Sequence, residues 1–160
     1  MDRALRAGVD FTTQLWSLVD GAMLANLEGH AGPLVAAAVR ALDGSIVTAS
    51  QDGSVKLWDG RNGAPIRSVA QLEFSPGALV LSPRGDNAVI TCADRCRRNF
   101  EQVVLNLVTG KPQAAYGLHD GFVFAATITP DGTVATAGGT RHEIHLWRVD
   151  DVKQIGRAHV

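Results

Sequence analysis

Four short segments recur at near-equal spacing along the 160-residue chain: Leu15-Trp16-Ser17-Leu18, Leu57-Trp58-Asp59-Gly60, Val104-Leu105-Asn106-Leu107 and Leu146-Trp147-Arg148-Val149. From Trp16 through Trp58 and Leu105 to Trp147 the steps are 42, 47 and 42 residues. Such a period constrains the fold more than any composition figure does. Each unit becomes one supersecondary element that buries its apolar surface only against its neighbours. Between the markers, short β-rich runs alternate with Asp20-Gly21, Asp43-Gly44, Asp52-Gly53, Asn62-Gly63, Thr109-Gly110 and Asp131-Gly132. These dipeptides suit tight hairpins, whose central residues take the positive φ that Gly, Asn and Asp tolerate. Every unit therefore predicts an antiparallel meander, and stacked helical repeats are excluded.

In the second unit the strands are expected at 35–39, 45–49, 54–58 and 65–69, here called a, b, c and d from first to last. Strand a of each unit lies nearest a crowded centre, which suits the small residues Ala36-Ala37-Ala38 and Ala125-Ala126-Thr127. A run of alanines also suits helix. Pro33 before it, Asp43-Gly44 after it and β-branched neighbours favour strand. The expected fold is all-β: four-stranded antiparallel meanders arranged as blades of a β-propeller, about four of them, as part of a larger ring. The units run 1–28 (strands b, c and d only, the innermost strand being absent), 29–70, 71–117 with a long b–c loop, and 118–160 with the start of a further loop.

Gly29-His30 stands before strand a of the second unit and Trp58-Asp59 ends its strand c, 28 residues from His30 to Trp58. This resembles the WD-repeat family, and the stretch Thr48-Ala49-Ser50-Gln51-Asp52-Gly53 is similar to that of G-protein β subunits. The resemblance implies a buried network of His30, Thr48, Asp52 and Trp58. Indole N–H, hydroxyl, imidazole and carboxylate can satisfy one another in series there. In the fourth unit the same pattern gives His119, Thr136 and Trp147, again with 28 residues from His to Trp. Gly138-Gly139-Thr140-Arg141 stands where the Asp belongs, leaving the network incomplete unless Glu143 or His142 substitutes. The third unit keeps Thr91 and replaces the Trp by Leu105. The first keeps Asp10 six residues before Trp16, as Asp52 is before Trp58.

His30, Thr48 and Asp52 also carry the residue types of a hydrolase triad, but Trp58 ends the donor chain and no oxyanion loop accompanies them. No catalytic residue is assigned. His142 and His145 would align two metal ligands on a helix; on strand c they diverge. Cys92 and Cys96 lie too close together to staple a fold, and no further ligand is placed by spacing. They are expected to be one packed and one exposed thiol, the latter lowered in pKa by nearby arginines. No metal or cofactor is expected. A formal net charge of −1 gives no broad attraction to nucleic acid or to an acidic membrane. No 18 apolar residues run together, and a cytoplasmic location is expected.

The expected role is a non-enzymatic protein–protein interaction scaffold that binds other proteins or peptides. A second reading makes the segment a sensor or recruitment part of a larger bacterial multidomain enzyme, protease-like or a protein kinase. Arginine far outnumbers lysine, consistent with a GC-rich bacterial composition. In propellers resembling this one the d–a and b–c loops share a face often used for partners. Gln51 and Phe122 would lie there. The long b–c loop of the third unit adds Arg95, Arg97, Arg98 and Phe100, which together could anchor an acidic peptide or a phosphate. An arc of about four blades would be open, and three explanations remain: a fragment of a longer chain, a dimer completing an eight-bladed ring, or a small closed ring. The remaining blades would come from the same chain or a second copy, and the isolated polypeptide is expected to self-associate.

Overall fold

The computed structural model describes residues 3–7, 13–94, 96, 101–150 and 154–159. They form strands β1 (Arg3–Ala7), β2 (Thr13–Ser17), β3 (Met23–Leu27), β4 (Leu34–Val39), β5 (Ile46–Ser50), β6 (Ser54–Trp58), β7 (Pro65–Gln71), β8 (Ser75–Leu81), β9 (Asn87–Asp94), β10 (Gln102–Asn106), β11 (Pro112–Tyr116), β12 (Val123–Ile128), β13 (Thr133–Gly138), β14 (Glu143–Arg148) and β15 (Gln154–His159). No helix occurs among the described residues. The alanine-rich runs lie in β4 and β12 as strands.

The strands make four sheets in chain order: β1-β2-β3, β4-β5-β6-β7, β8-β9-β10-β11 and β12-β13-β14-β15. We call them blades 1 to 4. Every pairing within them is antiparallel, as consecutive strands joined by short turns require. Gly53 shows why a turn needs its residue. Its φ is +85°, and a Cβ there would sit 2.5 Å from the Leu72 carbonyl oxygen.

Three apolar clusters lie between successive blades. Leu15 and Leu27 of blade 1 pack on Ile46 and Trp58 of blade 2. Val47, Ala49, Val55 and Leu57 of blade 2 pack on Leu79, Ala88, Ile90 and Leu105 of blade 3. Val89, Val104 and Tyr116 of blade 3 pack on Ile128, Val134 and Trp147 of blade 4. Side chains alternate along a strand, so each blade has two unlike faces. One carries Trp58 or its counterpart, and the other carries its preceding neighbour, Leu57 or its counterpart. In every junction the Leu57-type face of one blade meets the Trp58-type face of the next.

On blade 4 no blade packs on the Leu57-type face among the described residues. Its Ala135, Ala137 and Ile144 are partly exposed and Leu146 is 39% exposed, whereas Val47, Ala49, Val55 and Leu57 on the same face of blade 2 are buried. Phe124 stands beside them at 77% exposure.

Two arginines tie blade 2 to blade 3. Buried Arg40 donates from Nε to the Gly85 carbonyl at 2.7 Å and from Nη1 to Asp43 at 3.0 Å. Arg67 donates to the carbonyls of Leu107 and Val108. Blade 3 also corrects the expectation for the cysteines: Cys92 and Cys96 form a disulfide, with no free thiol among the described residues. Their Cα atoms lie 5.8 Å apart, and Cys96 packs on the core beside buried Cys92. The reactive exposed thiol is therefore withdrawn.

Candidate functional site

Blade 2 brings the residues of its expected network together with one addition. The Trp58 indole N–H donates to the Thr48 hydroxyl at 2.7 Å, and Thr48 Oγ1 lies 2.7 Å from His30 Nε2. His30 Nδ1 is 2.7 Å from Ser54 Oγ and 3.9 Å from Asp52. Ser54, two residues after Asp52, thus stands between imidazole and carboxylate. Indole nitrogen can only donate and carboxylate can only accept, so direction propagates along the chain. Thr48 donates to Nε2, His30 donates from Nδ1 to Ser54, and Ser54 donates to Asp52.

Asp52 also accepts the Ala31 amide at 2.6 Å and the Ser54 amide at 2.7 Å. Ala31 belongs to the d–a loop and Asp52 to the b–c turn, so this carboxylate joins the two loops. Burial pushes the Asp52 carboxyl up, but the Ser54 hydroxyl and amide and the Ala31 amide outweigh it and hold the pKa down to about 2. Burial lowers His30, with Asp52 opposing, which keeps the imidazole neutral. The His30 side chain is only 2% exposed. His30, Thr48 and Trp58 are engaged with one another out of solvent and the Asp52 carboxylate is engaged with loop amides, so the arrangement holds the loops in place.

Blade 4 is built otherwise. His119 Nε2 lies 2.9 Å from Thr136 Oγ1, but Trp147 Nε1 has no partner among the described residues. The link from Trp147 to Thr136 expected from the sequence is absent. Trp147 instead stacks on Tyr116 of blade 3, with centroids 4.9 Å apart and planes 4° apart. Tyr116 and His145 Nδ1 are 3.1 Å apart, and His145 Nε2 lies 2.8 Å from Glu143. Glu143 therefore engages a histidine, but His145 in place of His119. The His119 and His145 rings stack at 3.9 Å. Burial first, and then His145, lower the His119 pKa to about 4.

The loop clamp survives in blade 4 with its partners exchanged. Asp120, in the d–a loop, accepts the Thr140 amide at 2.8 Å and its hydroxyl at 2.6 Å in the b–c turn. The carboxylate has changed sides while the same two loops remain joined. Those hydrogen bonds lower the Asp120 pKa.

In blade 3 buried Thr91, lacking a Trp partner, accepts the Ala78 amide at 2.9 Å. In blade 1 Trp16 is partly buried, with no partner for Nε1 among the described residues. Asp10, Arg95, Arg97, Arg98 and Phe100 lie outside the described residues. Gln51 is exposed and Phe122 is 50% exposed. Their backbones are fixed by bonds from Gln51 N–H to the Pro33 carbonyl and from Gly139 N–H to the Phe122 carbonyl.

Four successive antiparallel meanders packed face to face, two of them clamped loop to loop at one end, define a segment of a β-propeller. A family model described as "WD domain, G-beta repeat" matches residues 21–59. The crystal structure of the WD40 β-propeller domain of Doa1 superposes with a TM-score of 0.76 over 99% of this chain and 51% of that one, at 19% identity. Telomerase protein component 1 of Rattus norvegicus is 24% identical over 140 residues, covering 87% of this chain and 5% of that protein. Denticleless protein homolog B of Xenopus laevis is 28% identical over 62% of this chain and 16% of its own length. Eukaryotic translation initiation factor 3 subunit I of Saccharomyces cerevisiae (strain YJM789) is 34% identical over 42% of this chain and 21% of its own length. The chain thus spans about a fifth or less of these curated relatives. Residues 21–59 thus match a WD repeat, and the chain as a whole has the fold of part of a WD40 β-propeller.

Proposed function

We propose that this chain is a non-enzymatic scaffold whose d–a and b–c loops bind other proteins or peptides. The observation that carries the reading is the use of its polar side chains. His30, Thr48, Ser54 and Asp52 are engaged with one another or with loop amides, which stiffens the loops while leaving Gln51 and Phe122 exposed beside them. A rigid loop presenting an aromatic side chain binds at small entropic cost. From the sequence alone, Arg95, Arg97, Arg98 and Phe100 are further candidates for binding an acidic partner. The remaining blades come from the same chain or a second copy, and the cytoplasm is the compartment that suits the role. The relatives named above, from rat, frog and yeast, lend no support to a bacterial multidomain enzyme.

The test places a photo-crosslinking amino acid at Gln51 or Phe122, and separately at Asn62 or Thr109 in the turns between strands c and d, in the full chain in its own cells. Crosslinked partners concentrated at Gln51 and Phe122 support the reading. Partners found only at Asn62 or Thr109 refute it. Loss of those partners on replacing Arg95, Arg97 and Arg98 by Ala would bring the arginine loop into the same surface.

A further inference from the structure

Counted back from the tryptophan of strand c, blade 4 carries His145 and Glu143 where blade 2 carries Lys56 and Ser54. The exchange alters what lies under the loop histidine. In blade 2 His30 tilts against Trp58, with centroids 5.9 Å apart, and Lys56 donates to the Gly29 carbonyl. In blade 4 His119 lies on a second imidazole, that of His145, with centroids 3.9 Å and planes 12° apart, and neither residue is more than 1% exposed.

Glu143 accepts a hydrogen bond from His145 Nε2, so Nδ1 of the neutral ring accepts the Tyr116 O–H from blade 3. β13 offers His119 the uncharged Thr136 hydroxyl. Asp120, in the same loop as His119, is held by Thr140 and lies 3.6 Å from Arg141. On β15, His159 is the register partner of Glu143. A first added proton is matched by Glu143 when His145 takes it. A second, on His119, sets two cations face to face away from water. His145 is fixed in β14, inside the sheet, but His119 stands in the loop between β11 and β12 and can turn outward.

We propose that the stacked His119 and His145 form an acid-operated latch on the loop joining blade 3 to blade 4. When both rings are charged, His119 leaves the stack and carries Asp120 and Phe122 with it. The Thr140 amide loses its Asp120 acceptor, and the Gly139 amide loses the Phe122 carbonyl. The strands of blade 4 stay paired. Blade 2, with no second imidazole under His30, has no such latch. Acid thereby loosens one part of the loop face while the rest of the fold holds. The movement is read without any partner, so it stands or falls apart from the binding role.

The test is residue-resolved amide exchange on the full chain, corrected for the intrinsic pH dependence of exchange. The amides of Gly139 and Thr140 report the loop, and those of β13 report the sheet. His119 takes its proton near pH 4 in the closed loop and near 6.5 when free, so the open fraction should grow about 30-fold between pH 7.5 and 5. A local opening exposes little surface, so exchange at Gly139 and Thr140 should not respond to about 1 M urea, whereas the slower β13 amides should. His119→Gln should abolish the acid response. His145→Gln should shrink it about twofold or more, because no second cation then opposes the first. Exchange at Gly139 and Thr140 that matches β13 in rate and urea dependence overturns the proposal. So does an acid response that persists in His119→Gln or is undiminished in His145→Gln.

Discussion

The Trp58 indole N–H donates to the Thr48 hydroxyl at 2.7 Å, and the same oxygen meets His30 Nε2 at 2.7 Å. One hydroxyl therefore joins strand b to strand c and to the loop before strand a. In blade 4 Thr136 serves only His119.

Thr48→Val, which keeps the shape and removes the hydroxyl, leaves two buried groups unpartnered. It is expected to destabilise the chain by about 2–6 kcal/mol, since each such group costs about 1–3 kcal/mol. Thr136→Val strands only one group and should cost about 1–3 kcal/mol. Urea unfolding at pH 7.5 measures both. Equal losses would show that the indole contact is worth nothing.

Acid should unfold the chain in two windows. A histidine in the unfolded chain takes its proton near pH 6.5, whereas His119 in the folded chain takes it only near 4. Between those values the unfolded chain binds more protons, so stability present above pH 6.5 is lost as pH falls towards 4, by up to about 3 kcal/mol. His30, also lowered, acts in the same direction. Asp52, held down to about 2, contributes stability present above about pH 4 and lost as pH falls towards 2. Urea midpoints between pH 7.5 and 2.5 read both slopes. His119→Gln should flatten the upper one and leave the lower, and an unchanged upper slope would contradict the assignment.

Arg40 is 5% exposed and bonds the Gly85 carbonyl across the junction of blades 2 and 3. Arg40→Ala should cost about 1–3 kcal/mol. Arg40→Lys should recover little, because an ammonium cannot reproduce the guanidinium fork that serves Gly85 and Asp43 together. Full recovery by Lys would mean that charge alone matters there.

His142 has φ of +56°, a left-handed conformation that costs a residue with a Cβ about 1 kcal/mol, and it follows Gly139 at φ +79° in the same turn. His142→Gly should raise stability by roughly 0.5–1 kcal/mol. A rise of a few degrees in Tm checks it, and a fall would mean that the imidazole makes a compensating contact.

Leu57 is buried between blades, whereas Leu146, at the same position on blade 4, is 39% exposed. Leu57→Asp should unfold the chain or cost several kcal/mol, roughly 3 or more. Leu146→Asp should leave stability nearly unchanged and reduce self-association in light scattering. A comparable loss of stability from both would show that the face of blade 4 is already covered.

What could be read from the sequence was local. The Asp-Gly and Asn-Gly turns and the Trp spacing locate Ser54–Trp58 as a strand from residues a few positions away, whereas the meeting of His30, Thr48 and Asp52 was implied by the family resemblance. Ser54 was missed although it sits at the start of strand c, since an Asp alone suffices in the resembling pattern. Tyr116 and His145, 29 residues apart, meet only through the packing of blade 3 on blade 4. Asp120 does from the d–a loop what Asp52 does from the b–c turn, and a pattern tied to one position cannot register that exchange. The Cys92–Cys96 bond depends on a Cα separation of 5.8 Å, which the four-residue spacing leaves open.

The two unlike faces of each blade give the stack a direction, like bricks with a stud on one side and a socket on the other. Such a structure changes size in whole courses. A duplicated segment of one period arrives with a stud for the socket ahead and a socket for the stud behind, so copying a stretch of gene inserts a seated unit without inventing any new joint.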